Sequence, residues 1–361
     1  MAETDLRREL RRVDWSSAEW RTGLLCLPAM AIALVAPLSL GHRYAALVMA
    51  GSAQSVGFGS FQRPLWFRGG AMIFATVFMA LSAALGELAA NRPAALILLI
   101  AAWAFCYGMS NAISSPAAWV GQQSCIFLIV SSIVPGAPAQ AALRAGGVLA
   151  GGLLQFLCIL CLWRFFKPAR STQADPVLHA PGWQRRALAE NFTYRSSTFR
   201  YAILLAISGF TAQFIASHVR FHNAYWIPMT VLIILKPDVM LTNARSIARI
   251  AGTLVGAVLA TVLAHFLQPG GLWLGLLIMA SMYLAYALQN VNYALYSIPL
   301  TAYIAFILAM GHLPARNAAE YRVIATAIAG LLAMIIHSLY VRQELKRLAR
   351  GLLPGRDPLQ H

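Results

Sequence analysis

Acidic residues are scarce in this chain: twelve Asp and Glu stand among 361 residues, against 28 Lys and Arg. General acid–base chemistry needs carboxylates, His or Cys converging at one place. Nine of the twelve acids fall in the tails, the N-terminal stretch or a central polar stretch, so only Glu87, Asp238 and Glu320 lie near apolar runs. Walker A, HExxH and nucleophile-elbow motifs are also missing, which removes ATP-driven transport, metalloprotease and serine-hydrolase chemistry from the sequence reading. An enzyme is therefore not expected, nor is a cofactor.

Cysteine is sparse as well. Cys26, Cys106, Cys125, Cys158 and Cys161 all sit inside apolar runs, where thiols behave as small hydrophobes, so no disulfide framework is expected. Cys158 and Cys161 have CxxC spacing but no acidic or His neighbour, and His218 and His222 flank Arg220 without a third ligand. Neither pair makes a metal site.

What fills the chain is apolar: 59% of residues are hydrophobic and 11% charged, where soluble domains carry roughly a quarter charged residues. Crossing a hydrocarbon core of roughly 30 Å takes about 20 apolar residues, and such runs follow one another here. An all-α integral membrane protein is expected. The net charge of +16 would suggest nucleic acid in a soluble protein, but these cations lie in loops, tails and a linker, as the positive-inside bias places them. Nucleic acid is not an expected partner.

Hydropathy predicts about twelve spans, near 22–40, 44–60, 70–90, 94–112, 116–134 and 143–163, then 201–219, 224–236, 250–267, 271–288, 293–311 and 323–341. An amphipathic elbow precedes them over 1–21, a cytoplasmic linker occupies 164–200 and a cytoplasmic tail 342–361. The stretch GWQRRALAENFTYRSSTFR is expected to form a surface helix. The six-span halves, 22–163 and 201–341, overlay at an offset near 180 residues: Arg21 matches Arg200, GHRYAALVMA matches HNAYWIPMTV, WFRGGAMIFATVFMALSAAL matches SIARIAGTLVGAVLATVL, and Arg144 matches Arg322. Such self-similarity points to duplication, and six spans per half make the repeats parallel. With both termini inside, most cations face the cytoplasm and only Arg43, Arg92, Arg144, Arg220, Arg316 and Arg322 face out, which fits the positive-inside bias.

Charges in or beside spans are the functional candidates. A short span ends in Lys236-Pro237-Asp238, a turn carrying Thr242 and Asn243 follows, and Arg245 and Arg249 open the next helix at i, i+4. A helix N-terminus favours anions, so the two arginines can draw in a carboxylate while Asp238 holds a cation or takes a proton. A positive-inside anchor with a local ion pair fits the same residues equally well. Gly252 and Gly256, like Gly147 and Gly151, form GxxxG, a close-packing device. In MYLAYALQNVNYALYSIPLTAY, Gln289, Asn290 and Asn292 interrupt an apolar hairpin bearing Tyr283, Tyr286, Tyr293, Tyr296 and Tyr303. Rings and amides of this kind can hold an aromatic solute, although an interfacial tyrosine belt explains most of them.

The stretch with Tyr225, Trp226, Pro228, Pro237, Thr242, Arg245, Arg249, Gly252, Thr253 and Gly256 resembles the fusaric-acid-resistance (FUSC) family of the aromatic acid exporter superfamily. In the first half only Tyr44, Arg63, Pro64 and Arg68 correspond. The resemblance implies export of small organic anions, typically aromatic carboxylic acids, across a bacterial inner membrane. It also implies a homodimer and, for some members, a periplasmic adaptor protein. Lys236, Arg245, Arg249, Asp238, Trp226, Asn290, Asn292 and Tyr293 are the expected substrate-binding residues, with Arg322 and Arg144 receiving the anion at the far side. A proton-motive-force-linked exporter leads; a passive anion channel, or a scaffold that binds anionic lipid, are the alternatives.

Overall fold

The computed structural model describes residues 13–62, 69–162, 183–219, 223–237, 239–268, 270–310 and 315–352. Every regular element in this set is helical. In chain order they are α1 (Trp20–Ser39), α2 (Arg43–Gly57), α3 (Gly70–Ala89), α4 (Pro93–Ser110), α5 (Ser115–Ser131), α6 (Pro138–Leu162), α7 (Trp183–Asn191), α8 (Ser197–His218), α9 (Trp226–Ile234), α10 (Val239–Leu267), α11 (Gly271–Leu288), α12 (Tyr293–Met310) and α13 (Ala315–Leu352). A 3-10 turn, Phe58–Phe61, extends α2.

Local signals set the boundaries. Pro93 opens α4, where a missing N–H costs nothing. Ser114 caps α5 by accepting from Ala117 N at 3.2 Å, and Ser196 caps α8 by accepting from Thr198 N. Each satisfies a backbone donor that the helix leaves unpaired.

Among the described residues, nine helices have the length and apolarity to cross a bilayer: α1, α3, α4, α6, α8, α10, α11, α12 and α13. The expected second, fifth and eighth spans are shorter, at 15, 17 and 9 residues. At 1.5 Å per residue α9 covers only about 14 Å, under half the hydrocarbon core. Large apolar side chains such as Leu98, Leu157, Val258, Leu331 and Ile335 face outward, as they do in a protein whose solvent is lipid.

The N-terminal elbow is corrected where it can be seen. Residues 1–12 lie outside the described residues, and 13–19 carry a single 3-10 turn at Trp15–Ser17, not a continuous helix. Asp14 takes the Ser16 N–H at 3.1 Å, while the backbone N–H groups of Asp14 and Glu19 donate to Val291 O and Ala287 O. Those donors are committed to the α11–α12 turn, not to a surface helix. Of the linker, α7 forms within the expected surface stretch, and residues 163–182 lie outside the described residues.

Two buried cores run through the bundle. One joins α1, α2, α3 and α6 to α11 and α12 through Met30, Met79, Tyr286 and Phe306; the other joins α4 and α5 to α8, α9 and α13 through Ile100, Leu128, Leu205 and Trp226. Each core therefore draws on both halves of the chain. The crossings use small residues: Gly108 abuts Ala202 where α4 meets α8, and Gly23 abuts Tyr283 where α1 meets α11.

Both GxxxG pairs pack as their spacing suggests. Gly147 and Gly151 press α6 onto Val48 and Met49 of α2, and Gly252 and Gly256 press α10 onto Ala294, Ser297 and Ile298 of α12. No room remains at Gly256 for a Cβ, because the Ile298 carbonyl occupies that space. Gly256→Val is accordingly expected to cost about 1–3 kcal/mol of overpacking, read as a lower thermal midpoint and reduced yield of monodisperse protein.

Candidate functional site

The site begins where α9 stops. Pro237 lacks an N–H and cannot continue the helix, so the last carbonyls of α9 need outside donors. Gln122 Nε2 donates to Leu232 O at 3.1 Å and Tyr201 Oη donates to Leu235 O at 3.1 Å. Thr242 closes the turn: its Oγ1 accepts from Lys236 N at 3.0 Å and donates to Lys236 O at 3.1 Å. A broken helix inside a membrane protein is tolerated when its backbone groups are satisfied in this way.

Because Thr242 holds this turn, the next helix starts early. The expected polar turn at Thr242 and Asn243 is helical, and α10 begins at Val239. Arg245 and Arg249 therefore sit in its second and third turns. This corrects the expectation that they open a helix, since the dipole fades beyond the first turn. Their i, i+4 spacing survives, and Thr253 extends the same stripe by one more turn.

Along that stripe lie three guanidinium groups. Arg245, half-buried, rests over the Tyr293 ring with its Cζ 4.9 Å from the centroid. Arg249 is only 2% exposed, and its Nε and Nη1 have no hydrogen-bond partner among the described residues. Arg322 of α13 is also 2% exposed, stacks over Trp226 with Cζ 5.3 Å from the centroid, and has an unpartnered Nε. The Arg249 charge acts on Arg322, and Tyr296 lies within electrostatic range of Arg245, Arg249 and Arg322. Two further buried polar groups, Thr253 Oγ1 and Tyr293 Oη, are likewise unpartnered. Lys236, half-buried at the turn, feels the Arg245 charge.

Arg144, the counterpart of Arg322 in the overlay of the two halves, is placed differently. Its Nε pairs with Glu87 Oε2 at 2.6 Å, its Nη1 donates to Ser131 O at 2.7 Å, and its Cζ lies 5.2 Å from the Tyr44 ring centroid. Arg144 is 6% exposed and Glu87 3%. Each arginine stacks on an aromatic ring, but only the first-half arginine is neutralised by a carboxylate.

The other expected site residues divide. Trp226 and Tyr293 join the arginines as described. Asn292 caps α12, its Oδ1 accepting from Ala294 N at 2.8 Å and Leu295 N at 3.2 Å, and Asn290 is exposed in the turn before it. Asp238 lies outside the described residues. Of the five tyrosines, Tyr286 and Tyr303 are buried, and the Tyr286 hydroxyl donates to Gln54 O at 2.7 Å. Sequence reasoning passed over Thr253 and Tyr296 as site residues, although their spacing, four after Arg249 and three after Tyr293, puts them on the same helix faces.

Together these features define a class: a multi-pass, all-helical membrane protein whose second half buries unneutralised cations beside aromatic rings. Residues 202–336 match the family described as fusaric acid resistance protein-like. The chain is similar to the Escherichia coli inner membrane protein YccS, 32% identical over 112 residues covering 31% of this chain and 15% of that protein. The Bacillus subtilis membrane protein YvaC is 34% identical over 109 residues, 30% of this chain and 17% of that protein. Escherichia coli YhfK is 30% identical over 142 residues, 37% of this chain and 20% of that protein. The chain thus aligns with about a fifth or less of each of these relatives. No solved structure matches it.

Proposed function

We propose that this protein exports small organic anions, aromatic carboxylates foremost, through its second half. The observation that carries this reading is the pair Arg249 and Arg322, each 2% exposed and without a carboxylate partner among the described residues. Burying a guanidinium costs several kcal/mol unless an anion compensates it, and arginine cannot shed its charge. Arg144 with Glu87 is the internal contrast, since there the chain supplies the anion itself. A carboxylate presents two oxygens that match the guanidinium fork, while Trp226, Tyr293 and Tyr296 offer faces for an aromatic body.

In this reading Lys236 and Arg245 gather the anion at the cytoplasmic mouth and Arg249 passes it to Arg322. The proton motive force supplies the drive through its electrical part, about 2.3 kcal/mol per charge per 100 mV for an anion leaving a negative interior. In this reading the chain is laid out as twelve membrane helices in two parallel repeats, with both termini inside. The packing partners correspond: α1 with α2, α2 with α6, α3 with α5 and α6, and α4 with α5 recur as α8 with α9, α9 with α13, α10 with α12 and α13, and α11 with α12.

Purified protein in liposomes is expected to catalyse counterflow of radiolabelled benzoate, with efflux accelerated by an inside-negative potassium diffusion potential. Liposomes that show neither counterflow nor a response to the potential would defeat the proposal.

A further inference from the structure

Arg249 and Arg322 pose a problem that the transported acid alone does not solve. Both guanidiniums remain charged whether or not an organic acid is present, and each acts on the other. Around them stand Trp226, Tyr225, Tyr293, Tyr296 and Thr253. Ring faces and hydroxyls soften a positive charge but do not cancel it. Glu87 is already held by Arg144 on the other half. Arg249 Nε and Nη1, Arg322 Nε, Thr253 Oγ1 and Tyr293 Oη are buried without an acceptor among the described residues, and each of them can donate to an anion.

From this arrangement we propose that a small inorganic anion, chloride being the abundant case, occupies the Arg249–Arg322 site in the resting protein and leaves it when the organic carboxylate enters. The inference rests on the transport reading above, in that both ligands share one site. A halide suits the resting role because a spherical anion accepts from guanidinium and hydroxyl donors without directional demand, and it carries no apolar body to be stacked. The organic acid adds contact with the Trp226, Tyr293 and Tyr296 rings, and so displaces the halide. The two anions then compete.

The test uses the full chain purified in detergent, with sodium chloride replaced stepwise by sodium MOPS, a bulky sulfonate without a carboxylate, at constant ionic strength. Chloride is expected to raise the thermal midpoint along a saturable curve in the wild-type protein, and the curve should flatten in R249M and R322M. In liposomes, chloride at ten times its dissociation constant should raise the KM for benzoate about elevenfold, as simple competition requires. Should R322M fail to fold, R322Q keeps a polar side chain but removes the charge, and its chloride affinity should fall; unchanged affinity would remove Arg322 from the site. A chloride effect that is linear and equal in wild type and R249M is a general salt effect and overturns the proposal. A wild-type protein indifferent to chloride yet stabilised by benzoate also overturns it, while leaving the transport reading intact. Saturable chloride binding without any benzoate competition also overturns the proposal, because the two anions would then not share one site.

Discussion

Replacing Arg249 with Met is expected to make the protein more stable and less active at once. Met has a similar length and no charge, so in chloride-free MOPS buffer the variant loses a buried cation that no group among the described residues neutralises. Exchanging buried charges for apolar side chains of similar volume is neutral or stabilising by about 1–4 kcal/mol, and the thermal midpoint should rise by a few degrees. Transport should move the other way. Hydrogen bonds to a charged group contribute about 1.5–3 kcal/mol, so kcat/KM for benzoate should fall about 10- to 100-fold at roughly 1.4 kcal/mol per decade. A residue kept for packing or for orientation in the membrane would not give opposite signs. Differential scanning fluorimetry and initial counterflow rates on the same preparation read both quantities.

The first-half arginine should behave in the contrary manner. Glu87 and Arg144 are paired at 2.6 Å with little exposure of either, and Gly136 leaves the space that the Glu87 carboxylate fills. Removing one partner strands the other as a buried charge, which costs about 3–5 kcal/mol. Glu87→Gln and Arg144→Met should each lower the thermal midpoint substantially, whereas the double variant E87Q/R144M should recover most of the loss. The non-additivity is the informative quantity, because only residues in direct contact couple by more than a few tenths of a kcal/mol. Since Arg144 is neutralised by the chain itself, the double variant should transport at close to the wild-type rate once protein amounts are matched. This departs from the sequence-based expectation that Arg144 receives the anion alongside Arg322.

The helices were legible in the sequence because apolar runs bounded by Pro, Gly and cations carry local information: α11 spans 271–288 as expected, and most other ends differ by a few residues. The longer α10 was not legible. Thr242 and Asn243 look like a polar turn, yet the helix already begins at Val239, and Thr242 Oγ1 reaches back from within it to the Lys236 backbone. The site was half visible for a related reason. Sequence placed Arg245 and Arg249 on one face and marked Arg322 as a charge within a span. It could not tell that Glu87 answers Arg144 while nothing answers Arg322, because both arginines open their spans alike and the difference lies in which helix approaches. The shared cores escaped the sequence altogether, since the contacts of α4 with α8 and of α1 with α11 depend on small residues far apart in the chain, such as Gly108 and Ala202.

The most direct test of the account is benzoate counterflow into liposomes carrying equal amounts of wild type, R249M, R322M or E87Q/R144M. Counterflow should be retained by the wild type and by E87Q/R144M, and lost by at least about tenfold in both R249M and R322M. Wild-type counterflow in R249M and R322M would contradict it, because the buried, unneutralised arginines of the second half would then carry no anion.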